Sequence, residues 1–307
     1  MKKCTSDISR WPYVSMTLVS IIYKINNASK LKHRHEGFLA LEYLLLPIIH
    51  LAGDNIRQDE LIKVGLFSKS TISRQLEELR KKDYLEVYPD ENNGYFNCVR
   101  LKPKGTDFAL KFLFSLESFE EMTKKRLDYQ YDDFANDIGK MYSNLNSLRH
   151  LGIFNDERAL LPIIEIGLMS TAIHSCISEY AATLSLDNAK FHILLTIAIN
   201  GGKTTFKKVE SYLQIKQSGI VKQVHKLCEL GYLETVTDEN DKRVKWIVFA
   251  KEHEELLQKI KSSVGSFEKT LLESTLEDHR TLLANLYAIE DLALELIAKY
   301  SIYSHRN

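Results

Sequence analysis

The side chains with the most distinctive chemistry lie in two short segments, residues 69–75 and 217–223, which start 148 positions apart. Arginine and glutamine can each form two hydrogen bonds to the edge of one DNA base, and lysine pairs with the phosphates of the DNA backbone. Arg74, Gln75 and Gln223 are therefore the candidates for reading base edges. The complete set of candidate contact residues is Lys69, Ser70, Thr71, Ser73, Arg74 and Gln75 in the first segment, and Gln217, Ser218, Lys222 and Gln223 in the second.

These segments belong to a longer internal repeat. Residues 70–93 align without a gap on residues 218–241, and ten of the 24 aligned positions are identical. Solenoid repeats recur every ~20 to 50 residues, so this wider spacing indicates a duplicated domain. A chain of 307 residues has room for about two domains. We therefore predict a first domain in residues 1–150 and a second in residues 151–307, each with its own flanking helices.

The repeat predicts a helix-turn-helix in each copy. In the first copy, Ile72, Leu76 and Leu79 recur at steps of four and three, which predicts an apolar stripe on a helix over residues 69–82. A short polar helix over residues 59–64 precedes it, and the second copy repeats the stripe. In a helix-turn-helix, the second helix lies in the major groove of DNA. The candidate residues are therefore expected to contact duplex DNA.

A β-hairpin is predicted directly after each helix-turn-helix. Runs rich in aromatic and aliphatic residues flank an Asn-Gly turn at 93–94 in the first copy and residues 238–242 in the second. A helix-turn-helix followed by a hairpin is a winged helix. Long helices are expected over residues 107–126, 158–184 and 252–300. The predicted fold class is α+β, mainly α: two tandem winged helix-turn-helix domains whose long flanking helices form a pseudo-dimer interface.

Charge is distributed unevenly between the two copies. The whole chain has 41 basic and 41 acidic residues and no net charge. The net charge therefore does not indicate a polyanion partner such as DNA. Residues 201–251 contain ten Lys or Arg against six acids, whereas residues 54–104 contain ten against nine. The second domain should therefore carry more of the salt-dependent affinity for DNA. Its wing offers Lys242 and Arg243 to the minor groove, while the tip of the first wing has no basic residue.

The residues that close the two wings form a recognisable pattern. They are Asp238, Asp241, Lys242, Arg243 and Lys245 in the second half, and Leu101, Lys104 and Gly105 in the first. Together they resemble the D-x-x-D-R-R-x-K and L-T-x-K-G patterns of MarR-type regulators. The tandem arrangement and the Asp-Glu-Asn wing tips are similar to two-repeat members of the staphylococcal accessory regulator group, where the tip commonly reads Asp-Glu-Arg. The resemblance implies a winged-helix transcription factor.

The sequence contains no convincing catalytic or cofactor motif. Residues 201–204 read Gly-Gly-Lys-Thr, like the end of a phosphate-binding loop, but the first glycine of that motif would fall at Ile197, inside an apolar helical run. The four cysteines lack metal-binding spacing. We therefore expect no enzymatic activity, no cofactor and no metal. No signal peptide or membrane span is expected either, which predicts a cytoplasmic, nucleoid-associated protein.

The leading hypothesis is a transcriptional regulator that binds double-stranded promoter DNA as an intramolecular pseudo-dimer. Because the two reading surfaces differ, an asymmetric or A/T-rich site is expected, with RNA polymerase as a second partner at the promoter. Two alternatives stay open. One is a plasmid replication initiator, which also uses paired winged helices, and the other is a scaffold whose winged helices bind protein. An affinity for duplex DNA that falls steeply with salt would argue against the scaffold.

Overall fold

The computed structural model of the chain describes residues 11–32, 42–53, 55–63, 69–90, 93–149, 161–213 and 217–304. These residues form two compact units. The larger unit contains Tyr13–Ser175 and the segment from Leu271 onward, and the smaller unit contains Cys176–Thr270 and the residues before Tyr13. Packing therefore divides the chain differently from the repeat, whose predicted boundary at residue 150 stays a prediction.

The elements follow one another in the same order in both halves. The first half contains α1 (Val14–Lys32), α2 (Glu42–Leu51), β1 (Asn55–Arg57), α3 (Gln58–Lys63), α4 (Lys69–Lys81), β2 (Leu85–Pro89), β3 (Asn97–Leu101), α5 (Pro103–Leu127) and α6 (Tyr131–Arg149). The second half contains α7 (Pro162–Thr183), α8 (Asn188–Ile199), β4 (Lys203–Thr205), α9 (Phe206–Leu213), α10 (Gln217–Glu229), β5 (Leu233–Thr237), β6 (Lys245–Phe249), α11 (Glu254–Leu271) and α12 (His279–Ser304). Each half has one antiparallel sheet, in the orders β1-β3-β2 and β4-β6-β5.

The elements of the first half recur 148 residues later. α7 starts 148 positions after α1, α10 after α4, and α12 after α6. The strand registers also match, because Leu85 lies opposite Leu101 in one sheet and Leu233 lies opposite Phe249 in the other. The similarity between the halves thus extends from α1 to α12, well beyond the segment that aligns by sequence identity.

The predicted apolar stripe of α4 is confirmed as part of the core of the first half. Ile72, Leu76 and Leu79 are at most 2% exposed, and they cluster with apolar residues of α2 and β3. Gly105, in the first turn of α5, is required by a close approach of two backbone segments. A Cβ atom at this position would lie 2.0 Å from the carbonyl oxygen of Tyr84.

The second half repeats this core with different residues at its edges. Ile220, Val224 and Leu227 of α10 are at most 1% exposed, which confirms the second stripe. The position equivalent to Gly105 is His253, whose ring stacks on Tyr232 with centroids 4.6 Å apart. This histidine ends a 3-10 turn that precedes α11, whereas α5 is helical from Pro103 onward.

The expected elements do not all match the structure, and some lie outside the described residues. The single helix predicted over residues 252–300 is wrong, because a break separates α11, which ends at Leu271, from α12, which begins at His279. In that break, Ser274 has a positive φ of 67°, and the Asp278 carboxylate accepts hydrogen bonds from the backbone N–H groups of Arg280 and Thr281. The short third strand of each sheet was not predicted, and neither were α1 and α6. The turns of both helix-turn-helix units fall in residues 64–68 and 214–216, outside the described residues.

The first and last helices of the larger unit pack against each other. α12 packs along α1, where the ammonium group of Lys24 pairs with the carboxylate of Glu290 in a buried site. α12 also contacts α5, through an exposed ion pair between Arg126 and Glu295. Within the described ranges, none of the helices combines the length and apolar composition needed to span a bilayer.

Candidate nucleic-acid interface

α10 turns three of its predicted contact residues toward solvent. Gln217, Ser218 and Lys222 are exposed, while the apolar stripe on the opposite side of the helix is buried against the rest of the smaller unit. The stripe follows the helical repeat of 3.6 residues, so the exposed positions also share one side. This side of α10 is available to a ligand.

α4 presents a similar side with different chemistry. Lys69, Ser70 and Arg74 are exposed. Ser73 is half-buried, and its hydroxyl oxygen accepts a hydrogen bond of 2.8 Å from the side-chain amide of Gln58 on α3. The side chain of Thr71 lies outside the described part of the structure. Lys69 and Arg74 are the cations of this helix that have no ion pair among the described residues.

The structure corrects the expectation that Gln75 reads a base. Gln75 is only 3% exposed, because it lies three residues after Ile72 and four before Leu79 and therefore shares their buried stripe. Its Oε1 atom is buried and has no hydrogen-bond partner. Gln223, the equivalent residue of α10, is half-buried. Its Oε1 atom is also buried and has no hydrogen-bond partner. In this conformation, neither Oε1 atom is accessible to a ligand.

Two exposed residues of α10 were missed by the sequence reasoning. Val221 is 47% exposed, and it lies one position before Lys222 on the solvent side. His225 is exposed one turn later, and its Nδ1 atom lies 3.2 Å from the carboxylate of Glu229. Their spacing from Ser218 would have identified them, because residues three or four apart share a face of a helix.

The wing of the second half is held in shape by two aspartates. The Asp238 carboxylate accepts hydrogen bonds from the Trp246 ring N–H and from the backbone N–H groups of Asn240 and Asp241, and these bonds lower the pKa of Asp238. The Asp241 carboxylate accepts a 3.0 Å hydrogen bond from Nε of Arg243, and this bond is the main reason for the lowered pKa of Asp241.

The predicted wing residues are both available to a ligand. Lys242 is exposed, and the side chain of Arg243 is 91% exposed in spite of its bond to Asp241. The aspartate therefore restrains the guanidinium group near the tip of the wing without covering it.

The first wing lacks an equivalent cation in its described part. Tyr95 is 98% exposed near the tip, while residues 91 and 92 lie outside the description. The nearest guanidinium group, that of Arg57, stacks over the Phe96 ring at 3.8 Å and bonds to Asp59.

Among the described residues of the two segments compared by charge, more Lys and Arg side chains form ion pairs in the first half than in the second. In the first half, Arg57 pairs with Asp59, Arg80 with Glu77, Lys81 with Glu78, Arg100 with Glu86 and Lys102 with Asp83. Such exposed pairs add little stability, but they reduce the positive potential that phosphate would meet. Between residues 201 and 251, the exposed lysines without an ion pair among the described residues are Lys203, Lys207, Lys208, Lys222, Lys226, Lys242, Lys245 and Lys251.

The other candidate sites have different chemistry. Lys203 and Thr204 of the Gly-Gly-Lys-Thr segment lie in β4, and Thr204 is 1% exposed, so the segment is a strand and not a phosphate-binding loop. An open apolar cavity lies in the larger unit between α1, α2, α5 and α7. Ile22, Pro47 and Phe112 are among its lining residues. Within the residues described, His, Cys, Asp and Glu side chains form no group that could hold a metal ion.

Comparison with known proteins finds a similarity to one family over part of the chain. A family model described as "MarR family" matches residues 184–244, which span α8, β4, α9, α10, β5 and the tip of the second wing. Among solved structures, the chain is similar to a "MarR Protein from Peptoclostridium difficile DA00132". The two are 17% identical with a TM-score of 0.36, over 49% of this chain and 96% of that chain. None of the curated proteins matches the chain.

Proposed function

We propose that this protein is a transcriptional regulator of the MarR type that binds double-stranded DNA in a sequence-specific manner. The observation that carries the proposal is the exposed side of α10. Gln217, Ser218 and Lys222 project there, in a half of the chain whose exposed lysines lack ion pairs among the described residues. Polar side chains within a field of cations match the bases and phosphates of a DNA groove. The family match over residues 184–244 supports this assignment.

Each part of the second winged helix has a distinct role in the proposal. α10 lies in the major groove, where Gln217 and Ser218 face bases and Lys222 faces phosphate. Arg243 reaches the minor groove from the wing, held in direction by Asp241. The first half contributes Lys69, Ser70 and Arg74 through α4. Because its other cations are largely paired, it adds less of the salt-dependent affinity.

The tandem arrangement is part of the same proposal. We infer that the two halves are winged-helix domains that arose by duplication, with α1, α5, α6, α7, α11 and α12 as the flanking helices of a pseudo-dimer. The common spacing of 148 residues from α1 to α12 supports this view. Two-fold dimers of such domains bind half-sites about 34 to 36 Å apart. One chain with two different reading helices would bind an asymmetric site at a promoter, in the cytoplasm, next to RNA polymerase.

Selection of bound sequences from a random duplex pool tests the proposal directly. We expect one asymmetric or A/T-rich site with two half-sites, and an affinity that falls steeply as salt increases. Lys222→Ala should reduce the salt slope by about 1 and weaken binding to all sequences alike, as expected for a phosphate contact. Lys259→Ala, which removes an exposed lysine of α11, is the matched control and should change neither quantity.

Other outcomes favour the alternative functions. Binding that is absent, or that does not respond to salt, would refute the proposal and favour a protein-binding scaffold. Protection of tandem direct repeats near a replication origin would favour a replication initiator. Protection of a perfect inverted repeat would contradict the asymmetric arrangement.

A further inference from the structure

Val221 is an exposed aliphatic residue in the middle of the proposed reading surface. Its side chain is 47% exposed on α10. Ser218 precedes it by three positions and His225 follows it by four, so the three residues lie along the same side of the helix. An exposed aliphatic side chain does not improve solubility. Val221 is not part of the core either, because other residues form the buried stripe of this helix. It is available to a ligand.

The repeat shows that this position differs in chemistry between the halves. The equivalent residue of α4 is Ser73, whose hydroxyl is occupied by the 2.8 Å hydrogen bond from Gln58. The residue equivalent to Gln58 in the second half is Phe206, which cannot donate such a bond. Position 73 is thus tied to α3 by a polar contact, whereas position 221 presents two methyl groups to solvent.

The chemistry of the major groove identifies what an exposed valine would select. Thymine carries a C5-methyl group there, whereas cytosine has only a hydrogen at that position and the purines present hydrogen-bonding atoms at N7 and at O6 or N6. A valine cannot satisfy those polar atoms, and it gains contact area from a methyl group. We propose that Val221 is a specificity-determining residue that contacts a thymine methyl group in the half-site of α10, and that Ser73, the equivalent residue of α4, makes no such contact. The inference rests on the proposed DNA-binding function.

Replacement of thymine by deoxyuridine tests the contact, since it removes only the methyl group. The probe is the duplex selected from the random pool, with each thymine replaced in turn. For the wild-type protein, one replacement in one half-site should weaken binding about fourfold, which corresponds to ~0.8 kcal/mol for the burial of one methyl group. Val221→Ser, which introduces the residue found in the other copy, should bind the thymine duplex about fourfold more weakly and should not distinguish deoxyuridine from thymine.

Controls separate this inference from the underlying function. Lys259→Ala, on α11 and outside the proposed reading surface, should keep the full sensitivity to deoxyuridine. Val221→Ser should unfold at the same urea concentration as the wild type, since the position is exposed. Salt-dependent, sequence-selective binding without any effect of deoxyuridine, or with an effect that persists in Val221→Ser, would overturn the role of Val221 alone. Absence of salt-dependent binding by the wild type would overturn the proposed function as well.

Discussion

Replacing Glu290 by alanine should strongly destabilise the larger unit, because the buried Lys24 would lose the carboxylate that pairs with it. Lys24 and Glu290 are 1% and 3% exposed, and they join α1 to α12. The Ser20 hydroxyl donates a 2.6 Å hydrogen bond to Glu290 and accepts one of 3.1 Å from the Lys24 ammonium group. Removing one member of a buried pair costs ~3 to 5 kcal/mol. That is a large share of the ~5 to 15 kcal/mol that stabilises a typical protein.

Two matched variants separate the effect of charge from that of packing. Lys24→Met with Glu290→Met removes both charges at similar volume, and it should be neutral or stabilising. The repeat has uncharged residues at the two equivalent positions, Ala172 of α7 and Tyr142 of α6. Glu295→Ala breaks the exposed ion pair between α12 and α5, and it should cost at most ~1 kcal/mol.

Urea denaturation followed by far-UV circular dichroism measures these differences in the free energy of unfolding. The two tryptophans, Trp11 and Trp246, both lie in the smaller unit, so their fluorescence provides an internal reference. A cost below ~1 kcal/mol for Glu290→Ala, the size expected for an exposed pair, would refute the reasoning. Equal destabilisation by Glu290→Ala and by the double variant would also refute it, because the loss of packing and not the loss of the carboxylate's charge would then be responsible.

Two further predictions concern other parts of the fold. Burial, and next a neighbouring carboxylate, raise the pKa of Glu165 from 4.5 to about 7. The fold therefore favours the protonated form, and this contribution to stability is complete below pH 4.5 and is lost as the pH rises through 7. The urea midpoint of the wild type should fall over that range relative to Glu165→Gln, and parallel curves would contradict the assignment. Gly105→Ala should cost about 1 to 3 kcal/mol or more, because its Cβ would overlap the carbonyl oxygen of Tyr84. Gly265→Ala, in an open position of α11, should instead stabilise by about 0.5 to 1 kcal/mol in the same denaturation assay, and a similar response of the two variants would contradict the close approach.

The candidate interface was only partly predictable from the sequence. The exposed positions of α10 and the cations of the second wing follow from local patterns, and the structure places Lys222 and Arg243 on the surface as expected. The burial of Gln75 was also implied by its spacing from Ile72 and Leu79, but attention to hydrogen-bonding chemistry concealed it. Val221 was not among the predicted contact residues, because those were chosen for hydrogen-bonding or charged side chains.

The sequence alone determined the repeat, the apolar stripes of α4 and α10, and the two hairpins. These features depend on periodicity and turn chemistry within a few residues, so they can be read without knowledge of the fold. Only the tertiary structure decided the third strand of each sheet, the break before α12, the ion pairs that neutralise the first half and the packing of α12 on α1. Each of these depends on groups far apart in the chain, such as Lys24 and Glu290, and no local pattern specifies which distant segment will supply the partner.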